Sequence, residues 1–171
     1  MIVITTERLF IREAQLEDAT FFLELLNSPG WLEFIGDRGL NTLEEATKYL
    51  QDKVIPDYKT LGFGMFVMVD KSTNKPIGNC GLIQRDYLDH IDIGFAILPE
   101  YTKKGYSYEA NSAVMEFAKK ELGKTTILGI TTEKNTASIN LLTKLGLLFS
   151  HKMMAPNDKE ELFIYRWSHI L

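Results

Sequence analysis

The residues best suited to chemistry lie between Ile91 and Ala110, in the stretch IDIGFAILPEYTKKGYSYEA. The pattern predicts a strand, a short loop with two lysines and a glycine, and then a long amphipathic helix. A helix that begins after such a loop presents unpaired backbone N–H groups and the positive end of its dipole. Because these groups attract anions, the stretch predicts a site for phosphate.

The strand 91–97 alternates large and small side chains. Isoleucine and phenylalanine occupy one face, and Asp92, Gly94 and Ala96 occupy the other. Small side chains allow a ligand to reach backbone N–H and C=O groups. The same pattern also fits a helix packed tightly over the strand, so both interpretations stay open at this point.

The loop after the strand contains Lys103, Lys104 and Gly105. Glycine permits a backbone conformation in which successive N–H groups converge on an anion, and the lysines add positive charge. A Lys-Lys-Gly sequence is also common in solvated turns. The two glycine-rich phosphate motifs of nucleotide-binding proteins, Gly-x-x-x-x-Gly-Lys-Ser/Thr and Gly-x-Gly-x-x-Gly, are absent from the sequence.

A second group of residues begins at Asn135, in NTASINLLTKLG. Asn135 is a good helix N-cap, and capping alone accounts for it. Ser138, one turn into the predicted helix, is suited either to capping or to donating a hydrogen bond to a ligand.

Composition limits the class of protein. The 171 residues, 45% hydrophobic and 25% charged, predict a single domain over 1–171. A net charge of −4 argues against general binding to nucleic acid. One cysteine and three scattered histidines predict neither a disulfide framework nor a metal site. Without a signal peptide or a long apolar run, we expect a cytoplasmic protein that does not insert in a membrane.

Hydrophobic periodicity predicts the elements that position these residues. Helices are expected at 16–27, from 42 onward, at 106–122 and at 135–145, and strands at 9–12, 63–69, 77–84, 91–97, 125–131, 147–153 and 162–167. The segment 31–41 is expected to be irregular, and the last two strands to be joined near 156–158. The order βααβββαβαββ predicts an α/β sandwich with a mixed central sheet of about seven strands and helices on both faces.

Together, LPEYTKKGYSYEA and EKNTASINLLTKLG resemble the GNAT superfamily of N-acetyltransferases. The N-terminal TERLFIREAQLEDA is similar to the branch that contains ribosomal-protein N-terminal alanine and serine acetyltransferases. The resemblance covers nearly the whole chain. It implies a GNAT-like fold in which acetyl-CoA, without a metal, lies between two splayed parallel strands and donates its acetyl group to an amine.

The resemblance also implies which residues contact the cofactor. The family loop motif, Gln/Arg-x-x-Gly-x-Gly/Ala, falls on Thr102, Gly105 and Ser107, and this chain departs from it at Thr102 and Ser107. Backbone amides should survive both changes. The implied contacts are Phe95, Ala96 and Ile97 with the pantetheine arm and acetyl carbonyl, Lys103, Lys104, Gly105, Tyr106 and Ser107 with the pyrophosphate, and Asn135 and Ser138 near the thioester.

The family reaction is direct attack of an amine on the acetyl thioester, which requires the amine to lose a proton. Asp92 is the implied base, directly or through water, although it could instead be an exposed strand carboxylate. His90 and Glu133 are secondary candidates. A backbone N–H near Ala96 or Ile97 is the expected donor to the oxyanion.

The leaving thiolate has a less obvious acid. Many members of the family use a tyrosine on the helix after Asn135, but the matching residue here is Leu142. Ser138 or water could take over that role. The missing tyrosine and the altered loop leave open a second hypothesis, a CoA-binding regulatory module with weak turnover.

The acceptor is predicted only as a primary amine, on a protein N-terminus or a small molecule. Trp31 and Phe34 lie in the segment where the family builds part of its substrate wall, and they could equally belong to the core. An acidic protein suits a cationic amine such as a ribosomal-protein tail, a polyamine or an aminoglycoside. The resemblance also allows a homodimer.

Overall fold

The structure of this protein is a computed structural model that describes residues 1–156 and 160–169. Short apolar segments of the chain form the strands of one sheet. Its strands are β1 (Ile2–Thr5), β2 (Leu9–Arg12), β3 (Met65–Asp70), β4 (Lys75–Ile83), β5 (Asp92–Ile97), β6 (Thr126–Thr131), β7 (Leu148–Met154) and β8 (Glu161–Ser168). They lie in the order β1-β2-β3-β4-β5-β6-β8-β7. Asn157 and Asp158, from the predicted final turn, lie outside the described residues.

Helices cover both faces of the sheet, as predicted. They are α1 (Ala19–Leu26), α2 (Pro29–Phe34), α3 (Leu43–Tyr49), α4 (Ile55–Thr60), α5 (Tyr106–Lys120) and α6 (Thr136–Lys144). Helices α5 and α6 pack on one face against a core that includes Phe66, Cys80 and Ile127. The other helices pack on the opposite face, around Phe22 and Val67. Among the described residues, no helix is long and apolar enough to cross a membrane.

The pairing of β5 with β6 is short. Its two pairs are Asp92 with Leu128 and Ile93 with Gly129, and the strands run parallel. All other neighbours in the described sheet are antiparallel. Beyond Ile93 the two strands separate, so β5 loses its partner on one side while it stays paired with β4 as far as Ile97.

The predicted sheet was one strand short, because Ile2–Thr5 forms β1 and pairs with β2 through Ile4 and Ile11. The prediction that 31–41 is irregular was also partly wrong. Pro29 begins α2, where its missing N–H is not needed. This helix carries both Trp31 and Phe34.

The helix predicted from residue 42 onward begins after its cap, Thr42, and helical structure continues beyond the end of α3 at Tyr49. Thr42 Oγ1 accepts the N–H of Glu45 at 3.2 Å, and the Glu45 carboxylate accepts the N–H of Thr42 at 2.9 Å. Thr-x-x-Glu is the sequence pattern of such a reciprocal capping box. After α3 the chain passes through a π-helical turn, Leu50–Val54, into α4. Pro56, which cannot donate to the preceding turn, accounts for that irregularity.

Candidate functional site

A cavity of about 790 Å³ opens where β5 and β6 separate. It extends from the start of α5 to the layer formed by α1–α4. The predicted site residues that line it are Trp31, Phe34, Asp92, Phe95, Ala96, Ile97, Lys103, Gly105, Tyr106, Ser107, Asn135 and Ser138. The fold therefore brings together residues more than 100 positions apart in the sequence. His90 and Glu133 are exposed and do not line the cavity.

The register of β5 decides which backbone groups face the gap. Ile91 C=O accepts from Leu128 N–H on the β6 side, and Leu98 N–H donates to Ile77 C=O on the β4 side. Because the backbone direction alternates along a strand, Phe95 and Ile97 direct their N–H and C=O groups toward the gap.

The backbone groups of Ala96 therefore point away from the gap, although Ala96 was predicted to contact the cofactor there. It pairs with Asn79, and its C=O is directed at β4, where it would lie 2.5 Å from a Cβ added at Gly78. Backbone bonds to a ligand in the gap are thus available at Phe95 and Ile97, whereas Ala96 offers its methyl group to the cavity.

The loop before α5 has the backbone conformation that its sequence suggests. Lys103 and Gly105 both have positive φ, 59° and 83°. Gly105 occupies the N-cap position of α5, and no side chain in the described part of the chain caps the helix there. The first N–H groups of α5 are thus open toward the cavity, together with the side chains of Lys103 and Ser107. Lys104 does not line the cavity; its carbonyl accepts from Arg8 Nη1 at 2.9 Å.

Arg8 and Glu109 attach this loop to the N-terminal turn. Arg8 Nε donates to Glu109 Oε2 at 2.6 Å, Arg8 N–H donates to Glu109 Oε1 at 2.8 Å, and Thr6 Oγ1 donates to the same oxygen at 2.6 Å. The Arg8 guanidinium also lies 4.3 Å from the centre of the Tyr106 ring. Because Lys104, Tyr106 and Glu109 all contact this turn, the start of α5 is held from outside the cavity.

Asp92 is buried, with 1% of its surface exposed, so the interpretation as an exposed strand carboxylate is wrong. Arg85 Nε donates to its Oδ1 at 2.8 Å, and Arg85 Nη2 donates to its Oδ2 at 3.2 Å. Burial raises the pKa of Asp92, and the charge and hydrogen bonds of Arg85 oppose that rise without cancelling it. Sequence reasoning missed Arg85, since nothing in its local pattern distinguishes it from a surface arginine.

The start of α6 closes the other side of the gap. Asn135 Oδ1 accepts the Ser138 N–H at 3.1 Å, so Asn135 caps the helix as predicted. Leu142, the residue in place of the family's tyrosine, is fully buried against Gly129, and Leu141 lines the cavity instead. Thr131, also on the lining, has a buried Oγ1 without a hydrogen-bond partner among the described residues.

The layer of α1–α4 supplies the far end of the cavity. Trp31 is both lining and core: 7% of its surface is exposed, and its Nε1 donates to Gly36 C=O at 3.1 Å. Phe34 is half-buried beside it. Sequence reasoning missed the polar lining residues here, because they come from segments with no motif: Arg38, Tyr49, Lys53, Asp57 and Asn79.

With this geometry established, comparison with known proteins identifies the family. The profile of the acetyltransferase (GNAT) domain matches residues 8–148. The chain belongs to the GNAT acetyltransferase family. A curated relative, the uncharacterized N-acetyltransferase YjdG of Bacillus subtilis, is 30% identical over 112 residues, which are 63% of this chain and 65% of that protein.

Solved structures agree on the fold. RimL, a ribosomal L7/L12 α-N-protein acetyltransferase in complex with coenzyme A, superposes with a TM-score of 0.84 at 15% identity, covering 98% of each chain. The ribosomal-protein-S5-alanine acetyltransferase of Vibrio fischeri gives 0.80 at 18% identity, covering 98% of this chain and 97% of its own. GNAT proteins use acetyl-CoA as cosubstrate. At 15% and 18% identity, these neighbours show that the fold is shared.

The contacts of Glu109 predict a pH-dependent stability. Burial alone would raise the pKa of Glu109, but hydrogen bonds from Thr6 and Arg8 and the charge of Arg8 outweigh it and lower the pKa. The stabilisation is therefore complete above the unfolded-state pKa of about 4.3 and is lost as the pH falls through the folded-state value. We expect Glu109→Gln to reduce the free energy of unfolding at neutral pH by about 2 kcal/mol.

Urea unfolding at several pH values measures this effect. The difference between Glu109→Gln and the wild-type protein should shrink as the solution is acidified below the unfolded-state pKa. Glu121→Gln, an exposed glutamate at the end of the same helix, is the matched control and should leave stability unchanged. A difference that stays constant with pH would contradict the assignment.

Proposed function

We propose that the protein is an N-acetyltransferase that moves the acetyl group of acetyl-CoA to a primary amine by direct attack. The observation that carries this proposal is the gap between β5 and β6, which exposes strand backbone next to an uncapped helix start. A phosphorylated cofactor with a polar, chain-like arm needs both features. The pyrophosphate would contact the first amides of α5 with Lys103, Gly105, Tyr106 and Ser107.

From that anchor the pantetheine arm has one direction to follow. Phe95 and Ile97 turn their backbone groups into the gap, which closes at Ile93 where β5 and β6 pair. An arm bonded to Ile97 and Phe95 therefore carries the thioester toward the closed end. The N–H of Phe95 or Ile97 is the proposed donor to the oxyanion, because a backbone amide that already points at the developing charge needs no rearrangement.

Asp92 is the proposed base. It lies one residue from the closed end of the gap, on the face of the sheet covered by α1–α4, from which the amine would approach. Its raised pKa makes the carboxylate more basic than an exposed aspartate. Arg85 occupies both carboxylate oxygens, so the proton reaches Asp92 through water or through the remaining lone pairs.

Two hydroxyl groups are suited to the leaving thiolate. Ser138 is 7% exposed and lines the cavity at the start of α6, where the helix dipole favours negative charge. The unpartnered Oγ1 of Thr131 lies on the neighbouring strand. Hydrogen bonds from these groups would stabilise the thiolate in place of the missing tyrosine.

The alternative is a CoA-binding regulatory module of the same fold. Leu141 and Leu142 favour it, because this part of α6 provides no titratable acid. The two functions differ in one measurement: release of free thiol from acetyl-CoA when an amine is present. Thiol release with a matching mass increase on the amine supports the transferase, whereas CoA binding without release supports the module.

Gly105 tests the proposed pyrophosphate site. Alanine at φ 83° is strained, and its Cβ would lie 3.3 Å from Arg8 Nη2. We expect Gly105→Ala to weaken CoA binding about tenfold, as loss of a hydrogen-bonding group does. Isothermal titration calorimetry with CoA measures this affinity.

Gly123→Ala is the matched control. Gly123 follows the other end of the same helix with φ 61°, and nothing lies within 4 Å of an added Cβ. Both variants should lose about 1 kcal/mol of stability through backbone strain, but only Gly105→Ala should lose affinity for CoA. Equal CoA affinities in the two variants would remove Gly105 from the site.

Asp92 tests the proposed mechanism. We expect Asp92→Asn to lower kcat about 100-fold while CoA affinity stays similar, as loss of a general base does. In the wild-type protein, activity should fall on acidification as Asp92 is protonated, at a pH above that of an exposed aspartate. The variant should lack this acidic limb.

A structural role would give a different outcome. Asp92→Asn leaves the Arg85 guanidinium unpaired, which destabilises the fold, so unfolding must be measured in parallel. Asp89→Asn is the control, because Asp89 is exposed on the connection between β4 and β5. This variant should keep the wild-type rate and pH profile. An Asp92→Asn variant with reduced stability and an unchanged pH profile would exclude Asp92 as the base.

A further inference from the structure

The charge of the acceptor end of the cavity differs in sign from that of the whole protein. The lining of this end, on the side of α1–α4, contains three cationic side chains, Arg38, Lys53 and Arg85, and two anionic ones, Asp57 and Asp92. The chain as a whole carries −4. The prediction of a cationic acceptor rests on that total charge, and the local charge argues against it.

The ion pairs among these charged side chains leave the positive charges at the cavity rim without partners among the described residues. Arg85 and Asp92 neutralise each other. Within residues 1–156 and 160–169, neither Arg38 nor Lys53 forms a salt bridge. Both side chains are exposed at the cavity rim. An entering molecule therefore meets two uncompensated positive charges first.

Two polar groups deeper in the cavity are suited to an amine. Asn79 is 2% exposed and lines the cavity, and its Oδ1 has no hydrogen-bond partner among the described residues. A buried acceptor without a donor costs free energy, which a ligand N–H would recover. Asn79 pairs with Ala96, so it lies across from the part of β5 that borders the gap. Asp57 is half-buried, and burial raises the pKa of its carboxyl.

We infer that the acceptor is a primary amine that also carries an anionic group. The amine donates to Asn79 Oδ1 and lies near Asp57, while the anionic group lies between Arg38 and Lys53 at the rim. This inference rests on the proposed function and specifies the substrate class of the same cavity. Free amino acids and peptides with an acidic residue near their N-terminus share this chemistry.

Arg38 and Asp57 act on the same wall of the cavity. Burial raises the pKa of the Tyr49 hydroxyl, the charge of Arg38 opposes that rise, and the charge of Asp57 adds to it. Both charges therefore act on one lining residue, an arrangement that suits a ligand with opposite charges at its two ends. A diamine would place a second ammonium against Arg38 and Lys53.

Three small amines of matched length test the charge preference: β-alanine, β-alaninamide and 1,3-diaminopropane differ only in an anionic, neutral or cationic end. Peptides Ala-Glu-Ala-amide, Ala-Gln-Ala-amide and Ala-Lys-Ala-amide repeat the comparison for a peptide source. We expect kcat/KM to be about threefold to tenfold higher for the anionic member than for the neutral one, as partly solvated ion pairs allow. The preference should shrink at high salt.

Reversing the charge of single side chains shows which residues cause the preference for an anionic acceptor. Arg38→Glu and Lys53→Glu should each reduce the ratio of rates for the anionic and neutral acceptors, and Arg38→Lys should preserve it. Lys59→Glu is the matched control, because it makes the same charge change at an exposed residue of α4 outside the cavity. An equal reduction in Lys59→Glu would assign the effect to total charge and overturn the inference. Asn79→Leu should weaken binding of all three amines.

Calorimetric binding of the same amines to the CoA-loaded protein separates this inference from the proposed function. Binding that favours the anionic amine, without thiol release from acetyl-CoA, contradicts acetyl transfer and supports the charge preference. Thiol release at equal rates for all three amines, or fastest with 1,3-diaminopropane, supports acetyl transfer and overturns the charge preference. Absence of any charge preference in both measurements also overturns it.

Discussion

The separation of β5 and β6 after Ile93 is the constraint on which the other features of the site depend. In the interior of a sheet, the backbone N–H and C=O groups on both edges of a strand bond to neighbouring strands. On the β6 side of β5 these groups are free from Phe95 onward, because the parallel partner diverges. The divergence leaves room for a chain-like ligand and also fixes its direction. It further explains why the cavity can extend from one face of the sheet to the other.

A second relation concerns where charge is compensated. Asp92 is buried and keeps its Arg85 partner, so this pair adds no net charge to the deep end of the site. Lys103 in the loop and Arg38 and Lys53 at the rim form no salt bridge with any described residue, so they keep uncompensated positive charge. Charges buried without a partner are costly, whereas exposed ones are not. The arrangement places these three free positive charges where solvation makes them inexpensive and where an anionic part of a ligand would enter.

Much of this could be predicted from the sequence, and the exceptions have physical causes. The loop and helix from Lys103 onward, and the cap at Asn135, are local features whose pattern specifies their structure. Arg85 was missed because its ion pair with Asp92 joins the β4–β5 connection to β5, and such a pairing has no local signature. The direction of the Ala96 carbonyl depends on the register of β5 against β4, which alternation alone leaves undetermined. The helical start of segment 31–41 was missed because proline, here Pro29, is found both after and at the beginning of helices.

The attachment of Arg8 to Glu109 has a consequence for how the protein is made. These residues are 101 positions apart, so the contact requires the turn between the first two strands to meet α5. Contacts between distant parts of a chain form slowly, because closing the long loop between them costs entropy before the contact can stabilise it. The attachment of the loop at Lys104 therefore depends on a long-range contact. A nascent or partly unfolded chain lacks this attachment, so competence to hold a phosphorylated ligand would report that folding is complete.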